Sequence, residues 1–240
     1  MTPVRRAVAS ALAAGALALR MAAAAEPAGG DGAARLQATF IGNMAFRITD
    51  GTTTVYTDFP YESGYSGYMT YDFASVPKGP GALCLVTHGH RDHFDAGLFA
   101  KMDAVLVAPP DVESRVAKDR TIPFAKSMRY RDVAIEAIET PHARIGHVSY
   151  LVTWRGLRLY FTGDTDDVGA LLAARNLDYA FVSPWLLEMA AGRKGRIDAR
   201  RVVVYHQQAD EAVPAIQDRI LPKQGETLTL EAVSAAAAPR

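Results

Sequence analysis

The sequence predicts an α+β domain built from two β-sheets with helices on their outer sides. Three observations predict it. Short β-rich runs with turn signals between them open the chain, and later apolar runs alternate with helical stretches. Hydrophobic residues make up 49% against 22% charged, enough for a folded core. The 240 residues exceed one average domain and fall short of two comfortable ones.

Residues 36–41, 45–48 and 53–57 are strands separated by Gly42-Asn43 and Asp50-Gly51, which predicts an antiparallel meander. Residues 82–87, Ala-Leu-Cys-Leu-Val-Thr, suit a strand buried on both faces. Helices are expected over 95–101 and 111–118, the second with an acidic start and a basic end, and a strand over 105–107 between them. Strands resume at 133–139, 148–154 and 158–161, the last two turned by Arg155-Gly156. A helix over 167–175 is followed by strands at 179–182, 202–205 and 227–230. Residues 232–240 read as a frayed tail, and the domain proper as 35–231.

The first 25 residues stand apart. Arg5 and Arg6 precede an apolar run over 7–19, and Ala23-Ala24-Ala25 leads to Glu26-Pro27. That layout is a secretory signal with a small-residue cleavage site, by either the general or the twin-arginine route. The run is shorter than the roughly 20 residues of a membrane-spanning helix. The expectation is an exported protein, periplasmic or secreted, without stable membrane insertion after cleavage. Residues 26–34 are a Gly-rich spacer.

The whole chain carries 26 basic and 26 acidic residues, and the leader holds three of the basic ones and no acid. A mature chain with 23 basic against 26 acidic residues lacks the basic excess of a nucleic-acid binder. The single cysteine, Cys84, excludes an internal disulfide and a Cys-rich zinc site. It lies in an apolar strand and reads as a buried structural thiol.

Three of the six histidines fall within Thr87-His88-Gly89-His90-Arg91-Asp92-His93-Phe94. In an extended segment His88, His90 and Asp92 point one way and His93 the other, so one loop can face two neighbouring metal positions. Imidazole and carboxylate are zinc ligands and also suit iron or manganese.

His-x-His-x-Asp-His after a strand resembles the signature of the metallo-β-lactamase superfamily. The likeness extends over nearly all of residues 35–230. Ala38 to Asn43 and Val55 to Asp58 resemble the opening strands of its sugar-phosphate-lactonase-like branch. Gly163-Asp164-Thr165 resembles the element whose Asp bridges two metals, and His206 after a strand resembles the last histidine ligand.

The resemblance implies a four-layer αβ/βα sandwich and two divalent metal ions, zinc first, iron or manganese as alternatives. One metal would take His88, His90 and His142, the second Asp92, His93 and His206, and Asp164 both. His147 competes with His142, or else is a hydrogen-bonding or cleft residue. Asp164 could instead cap a helix starting near Asp166, and His206 could be a satisfied core residue. Two such ions roughly 3.5–4 Å apart share a water and lower its pKa enough to leave hydroxide at neutral pH, a nucleophile for a carbonyl or phosphorus. Asp92 could double as its proton acceptor.

Antibiotic-degrading relatives generally lack the bridging Asp. Asp164 therefore points to a small-molecule lactone, ester, thioester or phosphodiester. A mononuclear-iron oxidoreductase of the sulfur dioxygenase type is the alternative activity, and a non-catalytic metal-binding protein the alternative class. Residues 59–73 hold Tyr61, Tyr65, Tyr68 and Tyr71 with Gly64 and Gly67, so no regular element is expected there. Tyr65 and Tyr68 either wall the substrate or pack onto the surface. Trp185 is a cleft residue or core.

Overall fold

The computed structural model describes residues 35–208 and 211–232. The expected leader and spacer, and residues 233–240 of the expected tail, lie outside them. β1 (Arg35–Gly42), β2 (Ala45–Thr49) and β3 (Thr54–Thr57) pair antiparallel, Ala38 against Ile48 and Ile48 against Val55. The two turns fall at the predicted glycines. Asn43 (φ 51°) and Gly51 (φ 92°) take the left-handed backbone that tight hairpins demand. β4 (Ala82–Leu85) and β5 (Ala104–Val107) continue parallel to β3, with α1 (Ala96–Phe99) in the crossover that a parallel pair requires. α2 (Pro110–Glu113) follows.

The second sheet repeats this plan. β6 (Ser127–Tyr130), β7 (Val133–Glu139), β8 (Val148–Trp154) and β9 (Leu157–Phe161) are antiparallel. β10 (Leu177–Val182), β11 (Ala199–Val204) and β12 (Arg219–Ile220) then run parallel to β9. Their crossovers hold α3 (Val168–Ala173) and α4 (Pro184–Gly192). β13 (Thr227–Glu231) returns to the first sheet and pairs antiparallel with β1, giving the order β13-β1-β2-β3-β4-β5.

Side-chain alternation makes three apolar layers. On β4, Leu83 and Leu85 enter the inter-sheet core with Phe46, Phe161 and Phe181. Ala82 and Cys84 face the other way, against Phe94, Phe99 and Val112. On β10, Phe181 points inward, while Ala180 and Val182 join Leu171 of α3 and Leu187 of α4 outside. This is the predicted four-layer αβ/βα sandwich. Cys84 is the expected buried thiol, and burial pushes its pKa well above the ordinary thiol range.

Differences from expectation are local. Pro110 starts α2 at its first turn, but the helix ends at Glu113; Ala117 is extended and Lys118–Arg120 forms a separate 3₁₀ turn. α3 is capped by Asp167, which accepts the Ala170 N–H at 3.0 Å, so Asp164 does not cap it. Tyr65–Gly67 is a 3₁₀ turn in the segment read as irregular. β6, β12 and α4 are additions: β6 alternates exposed and half-buried residues without an apolar run, β12 is only two residues long, and α4 begins at Ser183-Pro184. Among the described residues no helix is long and apolar enough to cross a membrane.

Candidate metal centre

Past Leu85, Val86 N–H donates to Val107 O at 3.0 Å before the chain bends at Thr87. Strands of the second sheet meet it there. The Tyr150 hydroxyl donates to Val86 O (2.9 Å), Val148 N–H donates to Thr87 O (3.0 Å), and His88 forms a β-bridge with His147. Asp58, buried just after β3, accepts both the Thr87 N–H (2.7 Å) and the Thr87 hydroxyl (3.0 Å). With that hydroxyl proton committed, Thr87 Oγ1 accepts from His88 Nδ1 at 3.1 Å. The lone pair of His88 is therefore on Nε2. Burial, reinforced by His93, pushes the His88 pKa far below the imidazole range, so the ring is neutral.

Two groups of side chains converge beyond this point. In the first, His90 Nδ1 lies 3.0 Å from His88 Nε2 and 3.3 Å from His142 Nε2, and Asp164 Oδ2 lies 3.8 and 3.9 Å from the same two nitrogens. In the second, Asp92 Oδ2 lies 3.3 Å from both His93 Nε2 and His206 Nε2, with Asp164 Oδ2 at 3.4 and 3.6 Å. Within each group all ligand atoms fall within 4.8 Å of one another, and Asp164 belongs to both. Asp92 sides with His93, against the extended-loop expectation. The reason is a turn: the N–H groups of His93 and Phe94 both donate to His90 O, at 3.1 and 2.9 Å.

The donor set fits divalent metal. Neutral imidazoles and carboxylates suit zinc, iron or manganese. Asp164 Oδ1 and His93 Nε2 are buried without a hydrogen-bond partner, a state that buried polar atoms rarely keep. A cation among them would satisfy it. Burial would raise the pKa of Asp92, but the His206 hydrogen bond and the His93 ring beside it outweigh burial and hold the carboxyl ionised. Asp164 is held ionised against its burial chiefly by the electrostatic attraction of His93. Behind His93, Asp58 Oδ2 lies 3.4 Å from Nδ1, a carboxylate backing a candidate ligand.

Asn43 ties the second group together. His206, at a left-handed φ of 55°, donates its N–H to Asn43 O at 2.7 Å. The Asn43 amide donates to Asp92 O (2.8 Å) and Oδ2 (3.3 Å) and accepts the Tyr65 N–H at 3.4 Å. Its sequence signal marked only a turn. Asn43→Gly keeps the left-handed backbone and removes the amide, and should weaken the second metal ion about 10–100-fold, leaving the first in place. Competitive zinc titration reads this directly; two unchanged affinities would refute the role.

Tyr65 is 52% exposed, with its ring centroid 6.0 Å from that of His206, and Trp185 approaches His206 edge-on at 5.1 Å. Tyr68 is 37% exposed and makes no ring contact with these histidines among the described residues. Tyr61 is buried, and its hydroxyl donates to Met69 O at 2.9 Å; Tyr71 in turn donates to Tyr61 O at 2.6 Å. His147 is buried outside both groups, and burial followed by the neighbouring His142 lowers its pKa to about 3.

A family model described as the β-lactamase superfamily domain matches residues 37–182, which takes in His88 to Asp164 and stops short of His206. Among solved structures, Igni18, a metallo hydrolase from Ignicoccus hospitalis, is 15% identical over 83% of this chain and 100% of its own, with a TM-score of 0.62. A protein of Parabacteroides distasonis described as a metal-dependent hydrolase is 21% identical over 74% and 84%, with a TM-score of 0.58. The metallo-β-lactamase fold protein YhfI of Bacillus subtilis is 17% identical over 81% and 99%, with a TM-score of 0.55. No curated protein matches. With more than half its length matched and its two-sheet sandwich shared with these structures, the chain belongs to the metallo-β-lactamase superfamily.

Proposed function

We propose that this chain hydrolyses a small-molecule lactone, ester, thioester or phosphodiester with two divalent metal ions, zinc first. The observation that carries the reading is Asp164, whose Oδ2 lies within 3.9 Å of ring nitrogens from both groups. His88, His90 and His142 would hold one ion, Asp92, His93 and His206 the other, and Asp164 both. Two ions bound there would supply an activated water at neutral pH and a Lewis acid for the substrate oxygen. The protein's own part is to orient these donors and to receive the proton. Asp92, the more exposed of the two carboxylates at 16% against 10% for Asp164, would receive it.

Tyr65 and Trp185 offer an apolar surface beside His206 for the non-reacting part of the substrate. An aromatic contact of ~0.5–1.5 kcal/mol corresponds to about 2–10-fold in binding. Tyr65→Ala should raise KM by about that factor with metal content unchanged, and Tyr68→Ala should raise it less. An unaltered KM for Tyr65→Ala removes this wall from the reading.

Elemental analysis with a panel of lactone, thioester, phosphodiester and β-lactam substrates tests the whole. Two zinc ions and turnover of one of the first three are expected. One iron per chain with oxygen consumption would replace hydrolysis by the oxidoreductase reading. Metal without turnover of any substrate would leave a binding protein. The leader makes the enzyme exported in this reading, and a mature chain beginning at Glu26 is the expected product.

A further inference from the structure

We infer that His147 is a positioning residue that fixes Asp164 through its peptide group, and not a metal ligand. The Asp164 N–H donates to His147 Nε2 at 3.0 Å, which occupies the lone pair a metal would need. A neutral imidazole has one donor and one acceptor, so Nδ1 carries the proton and donates to Thr140 Oγ1 at 2.8 Å. The Thr140 hydroxyl passes its own proton to Ser149 Oγ (3.1 Å), and Ser149 donates to Thr162 O at 2.7 Å. Every hydroxyl in this buried chain has one direction open to it.

The chain begins at the N–H of Asp164 and ends at the carbonyl of Thr162, so it grips one short segment from both sides. Between them lies Gly163, at φ 61°, where a Cβ would collide with His147 Nε2. That contact explains why glycine precedes the aspartate: the ring rests on the backbone. Tyr205 completes the hold by accepting the Gly163 N–H at 2.9 Å. Asp164 Oδ2 must meet imidazoles of two groups at once, and its segment lies beyond the last ladder residue of β9. The lock supplies the rigidity that the strand no longer does.

The inference rests on Asp164 being the shared ligand, and the experiment separates the two claims. Zinc titration of the unaltered full-length chain tests the reading, which requires two ions. The lock is tested by side-chain ¹H–¹⁵N spectra of the same chain loaded with ¹¹³Cd. His147 should show a protonated Nδ1, an unprotonated Nε2 and no cadmium coupling, while the other five histidines show coupling. His147→Leu should weaken zinc about 10–100-fold, and His147→Gln, which can accept the same N–H, should restore most of that loss. Thr140→Val, a smaller change for use if His147→Leu does not fold, should shift the tautomer signal and weaken zinc about 10-fold. Cadmium coupling at His147 would overturn the inference. So would unchanged zinc affinity in folded His147→Leu or in Thr140→Val.

Discussion

Asp164→Ala should leave the chain unable to hold two metal ions and should lower its hydrolytic kcat/KM by more than about 100-fold. Loss of an outer hydrogen-bonding partner already costs 10–100-fold, and Asp164 is in direct reach of both groups. Its Oδ2 lies 3.4–3.9 Å from nitrogens of His93, His206, His88 and His142, so alanine removes the negative charge around which these rings gather. Asp164→Asn keeps the shape and one oxygen but not the charge, and should fall between the two. Metal content per chain, measured beside kcat/KM, checks the pair. An alanine variant that retained two ions would show that each group binds on its own.

Removal of metal by a chelator should lower the midpoint of thermal unfolding by about 10 °C. A ligand at 1,000 times its Kd stabilises the folded state by about 4 kcal/mol. A domain of 150–250 residues shifts by about 2–4 °C per kcal/mol, so one site supplies roughly 8–16 °C. The donors come from both halves of the sandwich: His88, His90, Asp92 and His93 follow β4, while His142, Asp164 and His206 follow β7, β9 and β11. Metal should therefore stabilise the whole fold and not one loop. Calorimetry on matched loaded and stripped samples measures the shift. Equal midpoints would mean that the two groups do not bind metal tightly in the folded state.

Both predictions concern residues whose chemistry was legible in the sequence. His88, His90, Asp92 and His93 are close in the chain, and their residue types declare a metal chemistry without reference to the fold. His142, Asp164 and His206 were readable through the family resemblance, which expects a ligand just after each of three strands. What divided the four local residues between two groups was less visible, since the turn from His90 to Phe94 replaces the alternation of an extended segment. Asn43 was opaque for a different reason. A turn asparagine gives no sign that its amide reaches Asp92, 49 positions away. His147 and His142 are the same residue type in the same loop, and burial and the Asp164 N–H bound at His147 Nε2 distinguish them only in the folded chain. The fold shows the same division. Strands with branched or aromatic residues were readable, whereas β6 depends on pairing with β7 more than on its own Ser-Met-Arg-Tyr.

The pairing of β13 with β1 has a consequence for the nascent chain. The partners of Arg35 to Thr39 on that edge, Thr227 to Glu231, are translated nearly two hundred residues after them. Until then β1 presents unpaired N–H and C=O groups, a template for another chain. A product terminated after Ile220 would hold all seven candidate metal ligands and still expose that edge. Translational arrest between the codons for Ile220 and Thr227 should thus yield a chain that carries every candidate metal ligand and is prone to association.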